Sequence, residues 1–118
     1  MATVNPVKVD FLAGKWDLYK WEALATGDTV NSLQIDDLAV ELVFHAFGTF
    51  GGGTLTINGS NDQGTTFSGL TNGAGNVAAL TAAGFVSVRE QALKFKPEMT
   101  AGTADDVDVW LLIRYPGN

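Results

Sequence analysis

The stretch Phe47–Asp62, FGTFGGGTLTINGSND, decides how the chain is read, because its glycines belong either to a ligand-holding loop or to the turns of a β fold. A phosphate loop needs a lysine followed by Ser or Thr behind its last glycine, and it must open a helix whose N-terminal N–H groups face the anion. Gly53 is instead followed by Thr54-Leu55-Thr56-Ile57, an alternating, β-branched run without lysine, and Gly48-Thr49-Phe50-Gly51 does not supply the dinucleotide spacing. Counted from Asn58, a calcium loop of the EF-hand kind requires Gly sixth and Glu twelfth. Gln63 and Gly69 stand there. Turn chemistry accounts for every residue: Asn61 and Asp62 favour Asx-turns, and Gly64 is expected to take the positive φ that closes a hairpin.

Working outward, strands are expected almost throughout. Trp16–Leu24, WDLYKWEAL, alternates between Gly14 and Gly27. Val40–Phe47 places Val40, Leu42, Phe44 and Ala46 on one face and Glu41, Val43, His45 and Phe47 on the other. Thr54–Gly59 and Thr66–Leu70 follow across the Asp62–Gly64 turn, then Val77–Thr81 and Phe85–Glu90. Leu93–Met99 alternates too, and Pro97, which has no N–H to donate, places that strand near an edge or a strand end. In Val107–Tyr115 the residues Val107, Val109, Leu111, Ile113 and Tyr115 oppose Asp108, Trp110, Leu112 and Arg114, the clearest strand of all. About eight short strands separated by Gly, Asn and Asp turns indicate an all-β fold, an antiparallel β-sandwich of jelly-roll-like type. We expect one domain over residues 1–118. Its flexible pieces are expected to be an N-terminal arm at residues 1–6, the Thr100–Asp106 loop and the Pro116–Asn118 end.

A chain of 118 residues with 46% hydrophobic and 17% charged residues can bury a core of its own. With a net charge of −6 and seven Lys and Arg scattered singly, it lacks the basic patch that a phosphate backbone requires, so no nucleic-acid partner is expected. No cysteine is present, which excludes disulfides and thiolate metal sites. No segment approaches the roughly 18 apolar residues of a membrane span, and the N-terminus lacks a signal pattern. A soluble protein made in the cytoplasm, with no membrane partner, is the expectation.

Candidate chemistry is sparse. His45 is the single histidine, and neither a cysteine nor a GxSxG elbow is present to pair with it. Asp17, Glu22, Glu41 and Glu90 have no spacing that brings two together for acid–base work. Asp105, Asp106 and Asp108 could hold calcium, although a solvated acidic loop is the ordinary reading. Neither an enzyme nor a cofactor is expected. Among the aromatics, Trp16 and Phe44 are expected to share the core face. That leaves Tyr19, Trp21 and Phe47 on polar or mixed faces, where large side chains suggest contact with another chain or, less readily, a sugar. Together with Phe50, these are the expected interface anchors: Tyr19, Trp21, Phe47 and Phe50.

Over residues 21–115, the stretch GTFGGGTLTINGSNDQGTTFSGLTNGAGNVAALTAAGF followed by KFKPEMTAGTADDVDVWLLIRY resembles a family of small structural proteins of tailed bacteriophages. That family shares a GTFGGG, a GSNDG-like turn, an AAG segment, a basic strand ending in proline and a final hydrophobic strand. This chain departs from it by one extra residue in Gly59–Gly64 and by Lys96-Pro97 in place of Arg-Pro. The resemblance implies a capsid decoration, or cement, protein: a small sandwich, often a homotrimer, made in the host cytoplasm and bound on the capsid exterior to the major capsid protein, which it stabilises. The alternative is a tail- or fibre-associated sandwich that binds carbohydrate or calcium.

Overall fold

The computed structural model describes residues 2–12 and 15–116, and these residues form an all-β fold without a helix. In chain order the strands are β1 (Thr3–Val4), β2 (Val7–Leu12), β3 (Trp16–Leu24), β4 (Thr29–Val30), β5 (Leu33–Gln34), β6 (Glu41–Thr49) and β7 (Thr54–Ser60). They continue with β8 (Ser68–Gly69), β9 (Ala79–Leu80), β10 (Gly84–Ser87), β11 (Lys94–Thr100) and β12 (Asp106–Arg114). One antiparallel sheet has the order β10-β6-β12-β3-β2, and the other runs β5-β11-β7-β8 with β9 also on β7. The chain crosses from the first sheet to the second between β3 and β5, between β6 and β7 and between β10 and β11, and returns before β6, β10 and β12, so the sheets form the two layers of a sandwich. The count exceeds the expected eight because pairs such as β4 and β5 span only two residues, too short to show a period in sequence.

The core lies between the layers. Leu42, Phe44 and Ala46 of β6 and Val107, Val109, Leu111 and Ile113 of β12 meet Leu55, Ile57, Phe95, Pro97 and Met99 of the second sheet, all buried. Period-two alternation places these residues on one face of each strand. Pro97 is buried rather than exposed at an edge. Ile57, opposite it, donates its N–H to Ala78 and accepts from Leu70, so its backbone groups face away from β11 and ask nothing of the proline. On the other side, β5 pairs only with Lys94 and Phe95, so the missing N–H falls beyond its end.

The N-terminal segment is not a free arm over its described residues. Thr3 and Val4 pair in parallel with Thr29 and Val30, Val4 is buried, and the Ala2 N–H donates to Asp28 Oδ1 at 3.0 Å. Met1, Gly117 and Asn118, which share the expectation of flexibility, lie outside the described residues. Next comes β2, a strand with every residue exposed along the sheet edge. Val7, Val9 and Phe11 alternate with Lys8 and Asp10, a period-two signal outside the strands expected from the sequence above.

One irregularity sets the phase of β3. Leu24 pairs with Val107 and Trp21 with Val109, so β3 spends three steps where β12 spends two. The extra residue is accommodated at Ala23, whose φ is 57°, and Asp108 Oδ1 accepts the Ala23 N–H at 2.9 Å. This bulge turns both Trp21 and Leu24 inward, although simple alternation would put them on opposite faces. Trp21 stacks on Phe44 with centroids 6.3 Å apart, and its Nε1–H donates to Asn31 O at 2.9 Å.

The glycine run is the turn between the layers. The Gly53 N–H donates to Phe50 O at 2.8 Å, and Gly51 O accepts the Thr103 N–H at 3.0 Å, so the Thr100–Asp106 loop is tied down against it. Gly51 has φ 57°, and a Cβ there would sit 2.1 Å from Thr103 O, whereas Gly52, at φ 80°, has open space around its own. Gly51→Ala should therefore cost more than about 2 kcal/mol in urea unfolding and Gly52→Ala about 1 kcal/mol, the left-handed backbone alone. Equal losses would count against the close-approach account.

Candidate functional site

The same alternation that fills the core points a second set of side chains out of the five-stranded sheet. Cross-strand register sets them in rows. Trp110 on β12 lies opposite His45 on one side and Lys20 on the other, with Phe85 beyond His45. Leu112 lies between Val43 and Leu18, and Arg114 between Glu41 and Trp16. The His45 and Phe85 rings stack at 4.0 Å and 10°, Phe47 is 5.1 Å from His45 and 6.5 Å from Trp110, and Lys20 Nζ sits 5.5 Å from the Trp110 ring centre. Phe85 is 68% exposed.

Two hollows cut into this face, one of about 220 Å³ around His45 and Phe85 and one of about 410 Å³ between Trp16, Leu18, Leu112 and Arg114. Its central cations are matched in place: Lys20 with Glu22 at 3.0 Å and Arg114 with Glu41 at 3.4 Å. The result is a broad apolar patch, aromatic at one end, of the kind that marks protein contact.

Of the four expected anchors, the structure places only Phe47 on this face. Trp21 is fully buried and Phe50 nearly so, and Tyr19 is half-buried, packed against the core. Trp16, assigned to the core, stands on the outer sheet face instead. The phase of β3 was ambiguous because both its faces carry apolar residues, and the Ala23 bulge reverses it before Leu24. Trp110, Leu112, Leu18 and Phe85 went unnoticed as a set. The available signal was β12 itself, which sets Trp110 and Leu112 between Asp108 and Arg114 on the face away from its core residues.

The polar stretches are occupied internally. Ser60 Oγ donates to Asp62 Oδ1 at 2.7 Å, which also accepts the Thr66 N–H at 2.8 Å; the Gly64 N–H donates to Ser60 Oγ, and the Leu93 N–H reaches Asn61 Oδ1. Gln63 shares with Gly64 the positive φ expected of the glycine. A cleft of about 490 Å³ lies beside these residues, and Glu90 on its wall is engaged by Thr71 N–H and Oγ1–H at 2.8 and 2.6 Å. The acidic cluster is divided: Asp105 accepts from Thr26 N–H and Oγ1–H, Asp108 from Ala23, and Asp106 is exposed. Among the described residues no group of three His, Cys, Asp or Glu is placed to hold a metal ion, and no buried side-chain N or O lacks a hydrogen-bond partner.

Comparison with protein-family models, with curated proteins and with solved structures finds no match.

Hydrogen bonds from Thr66 and Ser60 hold the Asp62 carboxyl at about 2, and the Thr26 hydroxyl and N–H hold Asp105 below the usual carboxylate range against the opposing effect of burial. A carboxyl depressed in the folded state contributes stability above its unfolded value and loses it as pH falls through the folded one. Unfolding midpoints should therefore stay level down to about pH 5 and drop between about pH 4 and 2, with a shallower drop in Asp105→Asn. An Asp105→Asn profile parallel to wild type would contradict the Thr26 clamp. For the two faces, Trp21→Ala should cost about 3–5 kcal/mol in urea unfolding and Trp110→Ala about 1 kcal/mol, and the opposite order would reverse their assignment.

Proposed function

We propose that the chain is a non-catalytic structural protein that works by burying the outer face of its five-stranded sheet against protein neighbours. The observation that carries this reading is the face itself: rows of Phe85–His45–Trp110 and Val43–Leu112–Leu18 laid across β10, β6, β12 and β3. Its particular role, on this reading, is capsid decoration in a tailed bacteriophage. The protein is made in the host cytoplasm and laid on the capsid exterior, where it binds the major capsid protein and stiffens the shell. The resemblance of residues 21–115 to small phage structural proteins supports this role, as does the net charge of −6, which suits an outer layer that must stay soluble and avoid packaged nucleic acid.

Sugar recognition by the aromatics is the weaker reading. Aromatic carbohydrate sites need open ring faces, whereas His45 already takes one face of Phe85 and Lys20 Nζ lies over the Trp110 ring.

The test is binding to purified, undecorated shells. Wild-type protein should saturate them, and the double substitution Trp110→Ser with Leu112→Ser should weaken binding by about 30-fold or more, as the loss of central anchors does at protein interfaces. Undiminished occupancy by the double variant, or binding to a glycan array in place of shells, would refute the proposal.

A further inference from the structure

We infer that the protein surface this sheet face receives is basic, with arginine side chains set against the corner where β12 enters the sheet and an apolar centre beside them. The inference rests on the reading of the face as a protein-docking surface and specifies the chemistry of its partner. Asp106 and Asp108 of β12 and Asp10 of β2 point out of this face, and none of the three has an ion-pair partner among the described residues. The other charges of the face are matched, Lys20 with Glu22 and Arg114 with Glu41. What is left over is of one sign, in keeping with a chain of net charge −6.

Two of the carboxylates adjoin the aromatic rows. Asp108 lies opposite Phe47 and Asp106 opposite Thr49, at the end of the face where Phe47 meets His45 and Trp110. Directly opposed residues have Cβ atoms about 4.5–5.5 Å apart, and alternate residues of one strand stand about 6.6 Å apart, so ring and carboxylates share one corner. Asp106 is exposed, and Asp108 gives Oδ1 to the Ala23 N–H. A guanidinium suits such a corner, because it stacks on an aromatic ring while its N–H groups donate to a carboxylate. A neighbour that covered Trp110 and Leu112 without supplying cations would strip water from these carboxylates and leave them unpaired, a cost that opposes docking. Asp10, at the β2 edge, adds a rim charge that steers a basic partner towards the face.

The test is binding of the full chain to undecorated shells at about 50 and 500 mM NaCl, with a synthetic peptide of alternating arginine and leucine as a second probe followed by amide NMR. At the lower salt, wild type should associate about tenfold faster than the double variant Asp106→Asn with Asp108→Asn, and the higher salt should remove most of that difference. Asparagine keeps an oxygen for the Ala23 N–H, and Asp106→Asn alone, at an exposed position, gives the same reading at smaller amplitude if the double variant proves unstable. The peptide should shift the amides of Phe47, Asp106, Asp108 and Trp110, and a glutamate–leucine peptide should not. Shell binding indifferent to salt and to the aspartates overturns the inference and leaves the docking face standing. If wild type leaves shells bare, the peptide decides: shifts at this corner uphold the basic partner while the capsid role falls, and shifts elsewhere or none remove both.

Discussion

Strand β12 is apolar along its inner face and carries Trp110 and Leu112 between Asp108 and Arg114 on its outer one. Its inner residues, Val107, Val109, Leu111 and Ile113, are covered by the second sheet. Its outer residues Trp110 and Leu112 have only their cross-strand neighbours beside them. Because β12 is paired along its length with β6 and β3, it fixes the rows on both faces at once. The core and the docking face are thus two consequences of one pairing register, and a slip of one residue would exchange them.

Two polar devices hold that register. Asp108 reaches across to the Ala23 N–H at the β3 bulge, and Asp105, three residues earlier, takes the N–H and hydroxyl of Thr26 just beyond the end of β3. In sequence the aspartates look like a cation site. In the fold they act as backbone acceptors at the place where β3 changes phase, in line with the general rule that buried or half-buried polar groups find hydrogen-bond partners. The glycines of Phe47–Asp62 have a similar standing, since they admit the close approach of the Thr100–Asp106 loop and let the chain cross between layers.

The proposed role follows from what these devices leave over. With the polar loops engaged internally, one feature of the described surface left without a cover is the apolar centre of the outer sheet face. A protein that stabilises a shell needs a preformed surface of this kind, because a rigid face loses little conformational entropy when it is covered.

Much of the fold was legible beforehand. The alternation of Val107–Tyr115, Val40–Phe47 and Thr54–Gly59, punctuated by Gly and Asn turns, determined an all-β chain and the inward sets of β6, β7 and β12, because period two is a local property of a strand. The same local logic excluded a phosphate or EF-hand loop at Gly51–Asp62. The phase of β3 and the company kept by Trp110 were decided only by tertiary structure, whereas the alternation of Val7–Phe11 was there to be read as a strand. A one-residue bulge at Ala23 brings Leu24 onto the inner face that Trp21 already occupies, and edge pairing sets Val7–Leu12 as a strand of six exposed residues. Cross-strand register gathers Phe85, His45 and Trp110, residues 25 to 65 positions apart in the chain, into one row. Each of these depends on which strands lie side by side, and no periodicity within a single strand carries that information.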